Sequence, residues 1–188
     1  VPLVLGVEMP FAPIQIILLE LFMDLAASAT FVAEPMEPTA MSIPPRGRKA
    51  KFVDRRMITN LAMGALSLAA AVLVNYLVTW YGNSALSDAD RLVLAQTVAF
   101  ATWLVGHIFL AMTMRSDRSP IWKQGIFSNK VMLVWSAAAL LFLVFVTSVP
   151  SVQTVIKVTS LGWREWGMVF AVPFVAIFWQ EIRKTASK

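Results

Sequence analysis

Five stretches of this chain run for some twenty residues almost without charge, and that pattern leaves few folds open. They are Phe11–Ala33, Met57–Tyr81, Leu92–Met114, Val131–Val149 and Trp166–Ile182. About 20 apolar residues in a helix cross a ~30 Å hydrocarbon core. Backbone groups in lipid must be paired within the segment, so each stretch is expected to be helical. The expected fold class is all-α, an integral membrane bundle of five full transmembrane helices. Val1–Pro10, too short to span, reads as a stub left from a preceding helix, and the chain as a C-terminal transmembrane fragment of a longer protein. A mean hydropathy of +0.69 supports the membrane setting over a water-soluble domain.

The charges lie between the stretches and alternate in density. Residues 34–56 carry six basic side chains, 115–130 carry four and the C-terminal tail three, so thirteen of the sixteen Lys and Arg fall in alternate connections. Only Arg91, Lys157 and Arg164 lie elsewhere. The positive-inside rule places the basic connections and the C-terminus in the cytoplasm, in a bacterial plasma membrane by expectation. The net charge of +5 therefore reports topology and not nucleic-acid binding. Trp80, Tyr81, Trp163 and Trp166 fall at outer boundaries and Trp122 near an inner one, as an aromatic belt does. Residues 34–56, with Pro35, Pro38, Pro44, Pro45 and Gly47, read as an irregular cytoplasmic loop. The chain has no cysteine, which excludes disulfides and thiolate metal sites, and its single histidine excludes a multi-histidine centre.

Two carboxylates interrupt the first stretch. Glu20 and Asp24 are four residues apart, hence on one face of a helix. A charge at mid-membrane costs ~2.5–3.5 kcal/mol on insertion scales, so it implies a bound cation, a proton or a basic partner. No Lys or Arg lies deep in any of the five stretches, which favours the ion or proton. Oxygen ligands of this kind suit hard divalent cations. His107 is the sole ionisable group deep in the third stretch, either an additional ligand or a neutral imidazole bonded to the backbone. Gly106 beside it allows close helix approach. Met23 is a soft, weak candidate ligand or plain packing. Asn75, Gln96, Thr97 and Thr102 read as interhelical hydrogen-bonding residues. No catalytic residue is assigned.

The run PFAPIQIILLELFMD, then FVAEPMEP, then Pro44-Pro45-Arg46, resembles the sixth membrane helix and following loop of P-type cation-transporting ATPases. Pro13 and Gln15 open the helix in that pattern, Glu20 takes the Asn/Asp/Glu position and Asp24 the aspartate. The match covers roughly residues 9–56, and the later stretches follow in number and orientation as helices seven to ten. The resemblance implies that Glu20 and Asp24 are ligands of a cation carried through the membrane. It sets Met23 where endoplasmic-reticulum calcium pumps have a threonine and where secretory-pathway calcium/manganese pumps are closer. It sets His107 near an acidic position of the eighth helix. Departures are Asp24-Leu25-Ala26-Ala27-Ser28 in place of Asp-Gly-x-Pro-Ala, Glu20 in place of a neutral Asn, and His107 where an acid would stand. They imply one divalent ion, or a proton, rather than two calcium ions.

The family's Asp-Lys-Thr-Gly-Thr, Thr-Gly-Glu-Ser and Pro-Glu-Gly-Leu motifs do not occur in this sequence. The resemblance therefore assigns ATP and Mg2+ to the parent pump's upstream helices and cytoplasmic domains, with no cofactor held here. Two other readings stand beside it. One is a non-enzymatic membrane anchor or regulatory module. The other is a proton-coupled secondary transporter, against which the lack of an internal repeat counts.

Overall fold

The computed structural model describes residues 6, 8–22, 27–36, 41, 55–116 and 119–186, and among these it contains eight helices and no strand. In chain order they are α1 (Pro13–Leu21), α2 (Ser28–Val32), α3 (Arg55–Gly82), α4 (Asp88–Thr113), α5 (Ile121–Gln124), α6 (Lys130–Ser148), α7 (Pro150–Ile156) and α8 (Trp163–Ala186).

Local chemistry sets the helix ends. Pro13 starts α1 where its missing N–H costs nothing, and the Gln15 side chain accepts from the Ala12 N–H at 3.1 Å, the reach-back half of a capping box. Ser87 caps α4 by accepting from the Asp90 N–H at 3.2 Å, with Asp88 and Asp90 in the first turn where the helix dipole favours acids. Asn129 caps α6 through the Met132 N–H at 2.9 Å. Pro150 opens α7, and Lys157 closes it in the left-handed conformation at φ 56°. α8 runs on through Pro173, which deprives the Val169 carbonyl of its usual donor.

α4 is the most enclosed of the long helices and packs against α3 and α8, which also pack on each other. α6 lies against α4 and α2, and α1 against α4. At Gly106 α4 meets both α3 and α8 at close range: a Cβ there would stand 2.4 Å from Leu68 Cδ1 and 3.3 Å from Pro173 Cβ. Asn75, fully buried on α3, donates to Thr102 Oγ1 on α4 at 2.8 Å and to the Met168 carbonyl on α8 at 3.0 Å. Gln96 and Thr97 likewise make contacts between segments, to the Met9 carbonyl and from the Thr159 N–H.

The long contacts define two ends of the bundle. One end joins Gln15 to Lys157, Tyr76 to Glu8, Gln96 to Met9 and Thr97 to Thr159. The other joins Glu34 to Arg115, Asn129 to Thr30, Arg183 to Asn60 and Lys184 to Thr113. Arg115, Arg183 and Lys184 thus gather at one end, as the alternation of charge anticipates.

The helix count differs in detail from five full spans. Among the described residues, three helices are long and apolar enough to cross a membrane: Met57–Gly82, Asp88–Thr113 and Lys130–Ser148. α8 has the length, but Arg164 and Glu165 in its first turn and Glu181, Arg183 and Lys184 in its last turns lower its hydropathy. The first stretch is described as two short helices, α1 and α2, on either side of residues 23–26, which lie outside the described residues. The short helices α5 and α7 fall in connections where no helix was expected.

Candidate cation site

α1 presents two different faces. Gln15 and Leu19, one turn apart, are buried against the bundle. Gln15 is held by its contact to Ala12 and by donating from Nε2 to the Lys157 carbonyl at 2.9 Å, which fixes the rotation of the helix. Ile16, Ile17, Glu20 and Leu21 are exposed. Glu20 is therefore the one charged group on an otherwise apolar open face. No hydrogen bond or ion pair joins its carboxylate to another described residue.

Asp24 and Met23 lie outside the described residues. Among the described residues no group of three or more His, Asp or Glu is arranged to hold a metal.

His107 lies on α4, its ring 3.9 Å from that of Trp103 one turn earlier. It lines an apolar cavity of about 870 Å3 between the first stretch, α3 and α4, together with Ala27, Phe31, Leu68 and Val72. His107 is thus brought toward the first stretch at Ala27 and Phe31, and no hydrogen bond or ion pair joins it to Glu20.

The end of the first stretch carries a cluster that the reading of the sequence overlooked. Glu34 is bound by Arg115, just past the end of α4, and by Asn129, the cap of α6, at 2.7 Å in each case. The Arg115 side chain, grouped by its position with the basic connections, is only 1% exposed. Glu181, fully buried in α8, accepts from Lys184 Nζ at 2.7 Å and from the Ile121 N–H at 2.7 Å. The sequence offered one signal for the first cluster, a Glu-Pro pair at the end of an apolar run. It offered none for the second, since acids in a last turn are normally solvated.

Residues 8–186 match the family model described as "Cation transporting ATPase, C-terminus". Among similar proteins, a calcium-transporting ATPase 1 of Bacillus cereus is 27% identical over 99% of this chain and 22% of its own length. A calcium-transporting ATPase 1 of Yarrowia lipolytica is 26% identical over 86% of this chain and 17% of its own. A probable cation-transporting ATPase F of Mycobacterium tuberculosis is 25% identical over 89% of this chain and 18% of its own. The chain spans about a fifth of the length of the relatives it matches.

Proposed function

The chain belongs to the family of cation-transporting ATPase C-termini, and from that premise we propose that it forms the closing membrane part of an ATP-driven cation pump. In this reading Glu20 and Asp24 supply carboxylate ligands to the transported cation. His107 and Met23 are the further ligands to be tested. All five apolar stretches span the bilayer, with the basic end and the C-terminus in the cytoplasm. ATP and Mg2+ act elsewhere in the pump.

The observation that carries the reading is Glu20 itself. Its carboxylate stands on an exposed face made otherwise of Ile16, Ile17 and Leu21. Against lipid that arrangement is unfavourable by several kcal/mol, so the face has to meet protein, a cation or a proton. A cation shared between this face and other helices of the pump removes the cost and gives the carboxylate a task. The buried contacts of Gln15 fix which way that face points. ATP hydrolysis elsewhere in the protein then changes the site by favouring one arrangement of the helices over another.

The relatives named for calcium make a divalent cation the first substrate to try, with a proton as the alternative. The test is ATP-driven calcium uptake into vesicles carrying the full-length protein. Wild type accumulates calcium and Glu20→Gln does not. Uptake by Glu20→Gln equal to wild type overturns the assignment.

A further inference from the structure

α2 continues the stretch that carries Glu20, yet little apolar burial holds it. Ser28, Ala29, Phe31 and Val32 are exposed, and Thr30 is its buried residue. The far end of this stretch is fastened by polar groups instead. Arg115 Nε lies 2.9 and 3.0 Å from the two Glu34 carboxylate oxygens, and Nη2 lies 2.7 Å from Oε1. The remaining donors of the same guanidinium reach Ser128 Oγ at 2.5 Å, the Gly125 carbonyl at 3.1 Å and the Ile126 carbonyl at 3.4 Å. Asn129 Nδ2 donates to Glu34 Oε2 at 2.7 Å and to the Thr30 carbonyl at 2.8 Å. That carbonyl belongs to the last turn of α2, where helix carbonyls lack partners of their own.

The geometry is that of a clamp. A guanidinium fork on a carboxylate fixes orientation as well as distance, which a single point charge does not. A buried ion pair is weak evidence for stability, since well-packed apolar groups often serve as well. What this pair supplies is placement: it ties the chain just after α2 to the end of α4 and the start of α6. The α3–α4–α8 core is built without it, around Gly106 and Asn75. Loosening the clamp therefore frees the end of the first stretch and leaves that core standing.

We propose that Arg115 is a positioning residue of cation transport, holding through Glu34 the stretch that bears Glu20, so that the affinity of the cation site depends on this clamp. The inference rests on the reading of Glu20 as a cation ligand. Coupling between distant sites typically changes affinity 5- to 150-fold, which sets the scale of the effect.

The experiment is calcium activation of ATP hydrolysis by the full-length protein. Wild type, Arg115→Gln, Arg115→Lys, Glu34→Gln and the Glu34→Gln/Arg115→Gln pair are compared. Arg115→Gln raises the half-activating calcium concentration at least about fivefold with the maximal rate retained. Arg115→Lys, which keeps the charge and loses the fork, falls between it and wild type. The double variant shifts no further than Arg115→Gln alone, because both changes open one clamp. Should Arg115→Gln fail to fold, Glu34→Gln, close in shape to the native side chain, makes the same comparison. Wild-type half-activation in the folded variants overturns the proposal, as does a fall in maximal rate alone. A wild type indifferent to calcium overturns calcium as the cation of the reading beneath it, and with it the clamp's role in calcium affinity.

Discussion

Gly106 is the point at which the packing of α3, α4 and α8 is most open to refutation. A Cβ at this position would lie 2.4 Å from Leu68 Cδ1, 3.3 Å from Pro173 Cβ and 3.8 Å from Ile177 Cδ1. The first contact is with the tip of a flexible side chain, which can turn away. The second is with a proline ring in a helix, which yields only if the helices part by a few tenths of an ångström. Replacing Gly by Ala in a helix gains about 1 kcal/mol of propensity, whereas overpacking a tight core costs about 1–3 kcal/mol. Gly106→Ala is thus expected to destabilise by about 0–2 kcal/mol. Gly106→Val, with two more carbons than alanine and a smaller propensity gain, loses about 3 kcal/mol or more. Leu68→Ala costs about 2–5 kcal/mol alone. Because it removes the atom that meets the new Cβ, the Gly106→Ala/Leu68→Ala pair costs less than the sum by at least about 0.5 kcal/mol. Reversible unfolding in detergent measures all four. Strict additivity of the pair, or a Gly106→Val protein as stable as wild type, would refute this account of how the helices meet.

Two further outcomes follow from buried polar groups. Asn75→Leu removes the bonds to Thr102 and Met168 and lowers stability by about 1–3 kcal/mol, since interhelical bonds in membranes average about 0.6 and reach about 1.7 kcal/mol each. An unchanged unfolding midpoint would contradict it. Glu181→Ala leaves the Lys184 charge without its carboxylate and the Ile121 N–H without its acceptor, and costs about 3–5 kcal/mol. Limited proteolysis should then cut the connection around α5 faster than in wild type, and equal rates would count against the contact.

The long helices were legible because lipid leaves apolar stretches little alternative. The limits expected for the second, third and fourth stretches lie within a few residues of α3, α4 and α6. The role of Gly106 and the interhelical bonding of Asn75 were legible for the same reason: a small residue or an amide within an apolar helix has few other uses. The clamp was not, because Arg115 and Glu34 are 81 residues apart, Arg115 looked like an ordinary loop charge, and the Glu-Pro pair gives no hint of its partner. Glu181 was hidden by its place near the end of a helix, where acids are normally in water. The short helices α5 and α7 follow Pro120 and begin with Pro150, signals that also mark plain turns. Of the candidate site, the structure gives the exposed setting of Glu20 and the cavity beside His107. Asp24 and Met23 fall outside the described residues.

The most direct test of the central claim is phosphoenzyme formation from ATP by the full-length protein, with and without calcium, in wild type, Glu20→Gln and Asp24→Asn. The account predicts labelling that depends on calcium in wild type and no longer does so in either variant. Wild-type calcium dependence in both variants would contradict it.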